Sequence, residues 1–527
     1  MSMLPLISCG VGMGIVFLLI PLILRNRSRF AQRAPDLHHT HKTPIPRLGG
    51  LALAAAFLGV EAFVAVFFPE QGMARERWVV MGSSLAMFGL GLWDDLRPLG
   101  AKRKLLCQLL IAAVVCSFGI GIQTFKIPFT GTIINLSAWG VLLTMLWLVA
   151  MTNLINLIDG VDGLAGGISL MLMALLAFVG YQHGFGLIAC GMVGALLGFL
   201  WFNFPPAKIY LGDGGAYFLG FQIGLLTLVS SQKGTVVAAL VAPLFVMALP
   251  IVDTTLAIVR RGLRGLPIFR PDRKHIHHRL MDMGLSRRKV VLSLYAVTLI
   301  FLGMGFTVFM SDGYWIPALL GLALLLMLLC AGRLSFSREW FSVGRVLGNS
   351  LSMRQDIQYA LCLTRWLALE GGRHKSLEGL WTDLLFVTQR LGFSSVKLTL
   401  ADGERVWEQQ DVQVPVPMHT IQHQLQGGLC GSLELKVFSC QMDAVDSAYL
   451  SQTTEEDATS CRPDLMDVKL FEVVSELVAE GWVKAATVWR KGEQTALRFD
   501  GKAARAKSER PRRVLARVPM VPALQQG

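Results

Sequence analysis

The chain has 527 residues, 53% of them hydrophobic, and a mean hydropathy of +0.52. A soluble protein of this length does not carry so much apolar sequence, and the excess fills residues 1–330 and then fades. This asymmetry predicts an all-α polytopic membrane part followed by a soluble part. The net charge of +13 does not indicate nucleic acid, because the cations gather in short loops between apolar runs, where they read as a membrane orientation signal. The nine cysteines follow no disulfide or metal-ligand spacing, which fits a reducing compartment.

A spanning helix needs about 20 apolar residues. The first run, Met3 to Leu24, has no basic n-region and no small-residue cleavage site, and Arg25, Arg27 and Arg29 follow it. It reads as a retained span rather than a signal peptide. In chain order the hydropathy predicts eleven spans, near 3–24, 48–68, 78–93, 104–122, 137–155, 163–181, 184–203, 214–231, 235–259, 290–310 and 314–332. Alternate loops differ in charge. One set carries Arg25, Arg27, Arg29, Arg33, Lys42, Arg47, Arg97, Lys102, Arg103, Lys208 and the dense run from Arg260 to Lys289. The other set carries Arg75, Arg77, Lys126 and Lys233. The positive-inside rule places the first set in the cytoplasm, with the N-terminus outside and the C-terminus inside.

The membrane domain is therefore expected over 1–332, a cytosolic α+β domain over 333–500, and a basic disordered tail over 501–527. Ser376–Gly392 has helical periodicity, Ser395–Leu400 and Ser432–Val437 alternate like strands, and Phe471–Trp489 is a second amphipathic helix. That helix–strand–strand–helix order resembles a GAF-type sensory fold, without a ligand motif to support it.

Acids at the ends of spans are functional candidates, because charge near hydrocarbon is costly. Asp94 and Asp95 close the third span (GLWDDLRP), Asp159 and Asp162 lie in NLINLIDGVDGLAGG, Asp213 lies in YLGDGGAYFLG, and Asp253 lies in PIVDTT. All six fall on the side assigned to the cytoplasm, although for Asp162 and Asp213 helix capping is an alternative reading. Carboxylates with the amides Asn153 and Asn156, and no thiols, suit a hard cation that also binds phosphates, namely Mg²⁺ with Mn²⁺ as the alternative. The glycines Gly160, Gly163, Gly212, Gly214 and Gly215 offer backbone amides to phosphate oxygens. Mutual repulsion within the Asp94–Asp95 pair would raise one pKa and suit that residue to act as a base.

Two basic loops flank the acids. HKTPIPRLGG holds Lys42 and Arg47 on a segment stiffened by Pro44 and Pro46. PIFRPDRKHIHHRL carries Arg270, Arg273, Lys274, His275, His277, His278 and Arg279, a cationic patch matched to a diphosphate. Zinc is a weaker reading of the three histidines, which lack the usual ligand spacing and a thiol partner.

Taken together, HKTPIPRLGG, the Asp94–Asp95 pair, NLINLIDGVDGLAGG, YLGDGGAYFLG and HIHH resemble, in order, the motifs of the polyprenyl-phosphate N-acetylhexosamine-1-phosphate transferases. The HIHH form and the eleven spans are similar to the GlcNAc-1-phosphate branch. The resemblance covers about residues 38–280 and leaves 333–527 without a counterpart. It implies that Asp213 and Asn156 ligate Mg²⁺, that Asp94 and Asp95 lie near the attacking lipid phosphate, and that Asp159 and Asp162 position nucleotide or metal. It further implies that Lys42, Arg47, Asn153, Arg270, Arg273, His275, His277 and His278 bind substrate. The expected partners are a UDP-sugar, a polyprenyl phosphate and membrane lipids, with homodimerisation left open. UDP-GalNAc or a deoxy-aminosugar donor would use the same motifs. A polytopic transporter and a membrane-anchored sensor are the readings from other classes. The one-sided placement of the polar motifs argues against a transporter, whose sites lie near the midplane.

Overall fold

A computed structural model describes residues 3–26, 45–67, 75–126, 132–180, 185–231, 236–263, 276, 280–281, 283–311, 314–333, 343–374, 376–409, 418–425, 431–438 and 468–508. The chain divides into two compact units, with the boundary between Ser350 and Leu351.

The first unit is a helical bundle. Its helices are α1 (Leu4–Arg25), α2 (Gly49–Phe67), α3 (Arg75–Leu96), α4 (Ala101–Ser117), α5 (Ser137–Ile158), α6 (Leu164–Val179), α7 (Phe185–Asn203), α8 (Gly212–Ser231), α9 (Val236–Val246), α10 (Ala248–Leu263), α11 (Arg287–Met310) and α12 (Ile316–Arg333). A short antiparallel ribbon, β1 (Thr124–Lys126) with β2 (Ile133–Asn135), follows α4. Among the described residues, α1, α2, α5, α7 and α11 are long and apolar enough to cross a membrane.

The other predicted spans also fold as helices, but with features that set them apart. α3 carries Arg75, Glu76 and Arg77 at one end and Asp94 and Asp95 at the other. α4 and α6 have 17 and 16 residues. The stretch predicted as one span over 235–259 is broken at Met247 into α9 and α10. Pro250 follows three residues later in the first turn of α10, where its missing N–H costs no hydrogen bond.

α8 is the centre of the bundle. It packs on α2, α3, α5 and α6, and every residue from Gly214 to Ser230 is buried. The outward faces of the surrounding helices show Leu6, Leu18, Val66, Leu106 and Leu146. Trp78, Trp93, Trp139, Trp201 and Trp315 are exposed near helix ends, as expected of side chains at the two levels of a lipid interface.

The second unit contains most of α13 (Val343–Glu370), then α14 (Leu377–Arg390), β3 (Ser395–Leu400), β4 (Gly403–Glu408), β5 (Met418–Leu425), β6 (Gly431–Phe438) and α15 (Val468–Ser508). The strands form one antiparallel sheet in the order β4-β3-β6-β5, with Val396 opposite both Trp407 and Leu435. Val396, Leu398, Leu433, Leu435 and Val437 are buried in the sheet, and Leu384, Phe471, Val478 and Trp482 are buried on α14 and α15. Phe393 meets Phe471 with ring centroids 5.7 Å apart. The predicted strands Ser395–Leu400 and Ser432–Val437 lie side by side as β3 and β6. β4 and β5 extend the sheet beyond the two strands read from the sequence. α15 continues to Ser508, into the stretch expected to be a disordered tail, and residues 509–527 lie outside the described residues.

Candidate active site

The start of α8 is held by two other segments. The chain before α2 pairs with the chain before α8 through three backbone hydrogen bonds of 2.9 Å: Tyr210 N–H to Pro46, Gly49 N–H to Tyr210, and Gly50 N–H to Leu211. Arg47 is thereby fixed beside the turn into Asp213. Gly212, at the first position of α8, has φ +76°, and a Cβ there would lie 2.6 Å from the Arg47 carbonyl oxygen. From the end of α3, Asp95 Oδ2 accepts from the Gly214 amide at 2.9 Å. An acid of one helix thus caps the positive end of another. The Gly214 amide, offered to phosphate by the sequence reading, is already occupied by this carboxylate.

Asp94 is buried, and its Oδ1 accepts from the Leu99 amide at 2.7 Å. Its Oδ2 is ion-paired with Lys104 Nζ, and the same ammonium lies 3.8 Å from Asp213 Oδ2. The other Asp213 oxygen accepts from Asn156 Nδ2 at 3.0 Å. Asp213 therefore stands between α3, α4 and α5, and its carboxyl is within hydrogen-bond reach of that of Asp94.

Asp159 follows the last residue of α5. Burial pushes its carboxyl well above the usual range, the charges of Asp213, Asp95 and Asp162 add to that, and the Arg47 charge opposes it. Asp162 Oδ2 accepts from the Ala207 amide at 3.2 Å. The turn it sits on is locked further by Asn203, whose Oδ1 accepts from Gly163 N–H at 3.0 Å and whose Nδ2 donates to Ile209 at 2.8 Å. The Tyr295 hydroxyl of α11 donates to the Gly163 carbonyl at 2.5 Å. The Tyr210 hydroxyl, on the same loop as Ala207, is pushed up to about 12 by burial and then by the Asp162 charge.

Asn153 is tied to the buried Gln108 of α4, donating from Nδ2 to Oε1 at 2.7 Å. Asp253 Oδ1 accepts from the Ile276 amide at 3.1 Å, which sets Ile276 against α10. An apolar recess lined by Leu157, Ile158, Leu164, Ile168, Leu249 and Leu294, with Asp253 also in its wall, adjoins the Asp159–Gly163 turn. Lys42, Arg270, Arg273, His275, His277 and His278 lie outside the described residues.

The structure brings Asp94, Asp95, Asp159, Asp213, Asn156 and Arg47 together and adds Lys104, which the sequence reading passed over. Its signal was helical phase: Lys104 precedes the buried Gln108 by four residues, and Ala112 and Val115 continue the same face. Gln108, Asn203 and Tyr295 were also missed. The assembled donors are carboxylate and amide oxygens, and two carboxyls within reach of each other repel once ionised. Oxygen donors of that kind suit a hard divalent cation.

The sequence model for glycosyl transferase family 4 matches residues 77–231, which contain both acid motifs and Asp213. Over 292 residues the chain is 36% identical to a probable undecaprenyl-phosphate N-acetylglucosaminyl 1-phosphate transferase of Bacillus subtilis, spanning 54% of this chain and 80% of that protein. The chain belongs to glycosyl transferase family 4. Within this family it is also 34% identical over 295 residues to a decaprenyl-phosphate N-acetylglucosaminephosphotransferase of Mycobacterium tuberculosis, spanning 50% of this chain and 71% of that one. It is also 30% identical over 331 residues to a phospho-N-acetylmuramoyl-pentapeptide-transferase of Desulforudis audaxviator, spanning 57% of this chain and 96% of that protein.

Proposed function

We propose that the protein transfers N-acetylglucosamine-1-phosphate from UDP-GlcNAc to undecaprenyl phosphate, at the cytoplasmic face of a bacterial membrane. UMP is released, and the lipid-linked sugar starts a cell-surface polysaccharide. A phosphate oxygen of the lipid attacks the sugar-bearing phosphorus of the donor. The bond from that phosphorus to the UMP oxygen breaks, and UMP leaves with the electron pair. The observation that carries this reading is Asp213, held between Asn156 and Lys104 at the start of α8 beside Asp94 and Asp95.

Asp213 and Asn156 would hold Mg²⁺, which supplies charge neutralisation to the phosphates. Lys104 and Arg47 add fixed positive charge where the transferring group becomes most negative. Asp94 or Asp95 would keep the lipid phosphate deprotonated. The apolar recess beside the Asp159–Gly163 turn suits the first isoprene units, and the cationic loop around Ile276 suits the donor diphosphate.

The test is incubation of membranes containing the protein with undecaprenyl phosphate and a panel of UDP-sugars, scoring lipid product and UMP together. UDP-GlcNAc should give both in equal amounts, and Asp213→Ala should give neither. Equal turnover of UDP-GalNAc would displace the sugar assignment. Undiminished transfer by Asp213→Ala would displace the metal assignment.

A further inference from the structure

The second unit holds a group of side chains that the transfer reaction does not use. Glu370 ends α13, His374 lies in the turn that follows, and Asp383 lies in the second turn of α14. One ligand atom from each falls within 4.8 Å of the other two, and all three residues are partly buried. His374 Nε2 faces Asp383 Oδ2 at 2.6 Å. We propose that Glu370, His374 and Asp383 bind a divalent cation of borderline softness, of the Zn²⁺ class.

The turn is fixed without any ion. Gly371 packs so closely on α15 that a Cβ there would lie 2.3 Å from the Ala485 carbonyl oxygen. Ser376 Oγ accepts from the Gly379 amide and starts α14. Gly379 leaves room for the imidazole, since a Cβ would lie 2.4 Å from His374 Nδ1. The three donors are thus presented by a pre-formed corner, which lowers the cost of assembling them around an ion.

Among the described residues their charge is poorly balanced. Two carboxylates face a histidine, and the cation recorded on Glu370 is Arg373, 2.9 Å away with a side chain 77% exposed. An exposed pair of this kind stabilises little and yields readily to a better partner. One imidazole nitrogen with two carboxylate oxygens is a ligand set used by zinc, which keeps a fourth position for water. Tetrahedral zinc with bonds of about 2.0–2.2 Å spaces its ligand atoms about 3.4 Å apart, so side-chain shifts of about 1 Å close the site. The proton between His374 and Asp383 leaves as the ion enters.

The experiment uses the full-length protein in lipid nanodiscs, stripped with EDTA and returned to buffer with excess Mg²⁺. Zn²⁺ alone is titrated by calorimetry, and Co²⁺ is added in parallel for its visible spectrum. One ion per chain is expected, with a tetrahedral Co²⁺ spectrum and affinity lowered at least tenfold in each of His374→Ala, Asp383→Asn and Glu370→Gln. Circular dichroism reports whether each variant keeps its helices, and the two isosteric variants decide the matter should His374→Ala unfold. Wild-type binding retained in all three, or no stoichiometric binding by the folded parent, overturns the proposal. Transfer activity is read in the same samples. Loss of zinc binding with transfer intact separates this site from the acids around Asp213.

Discussion

Lys104 pairs with Asp94 and approaches Asp213, so one ammonium is shared by two acids from different helices. Replacing it by glutamine keeps length and polarity but leaves both carboxylates without that charge. Transfer by Lys104→Gln is expected to fall about 10²-fold in kcat, read as UMP release at saturating donor. A change of less than threefold would remove Lys104 from the site. Asp159 allows a pH test. Its carboxyl is raised in the folded protein, so the fold keeps a proton that the unfolded chain has lost. Stability therefore falls as pH rises from about 4 through the raised value. Asp159→Asn should raise the apparent melting temperature at pH 7.5 in EDTA by about 1–3 °C, less at pH 5, while lowering transfer. Equal or lower melting at pH 7.5 would contradict the electrostatic account. The acids were legible from the sequence because each interrupts an apolar pattern. Lys104 was not, because Lys102, Arg103 and Lys104 are alike in type and differ by rotation about α4.

At the scale of elements, the site depends on how closely α3 and α2 approach α8. A Cβ at Gly91 would lie 2.4 Å from the Asp213 carbonyl oxygen, and one at Gly50 would lie 2.3 Å from the Gly215 nitrogen. Backbone stands opposite backbone in both places, so no rotamer change relieves the clash. Gly91→Ala is expected to insert normally and to lose at least tenfold in transfer and, on the proposed holding of Mg²⁺ by Asp213, to need more Mg²⁺. Membrane fractionation beside an activity titration checks both, and wild-type Mg²⁺ dependence would contradict the contact. Sequence periodicity located these helices because their apolar runs are long. It joined α9 to α10, since the residues next to the break, Phe245, Val246, Ala248 and Leu249, are apolar on both sides. It also passed over β4 and β5: GERVWE and MHTIQHQL carry polar residues at most positions, and pairing with β3 and β6 forms them.

At the scale of the whole molecule, the family match of residues 77–231 and every described member of the acid cluster lie in the first unit. A chain ended after Ser350 should retain transfer within about threefold when normalised to protein in the membrane. Loss of activity in a well-inserted truncation would make the second unit part of the catalyst. Composition showed an apolar part giving way to a polar one near residue 330, whereas the structure divides the chain between Ser350 and Leu351, and the α+β reading of the second part came from periodicity. The contents of the second unit were less legible. Its turn from Glu370 to Asp383 carries no motif, and its ligand set emerges only when α13 folds against α14.

Asp95 has a consequence in genetic terms. It caps α8 from 119 positions away, and the group it receives is a backbone amide that every residue at 214 but proline would supply. Codon 214 therefore holds no compensating change for a lesion at codon 95, and codon 91 is closed by the same contact that needs its glycine. Asparagine, which keeps an accepting oxygen and drops the charge, is the substitution at 95 that would separate a broken joint from a missing base.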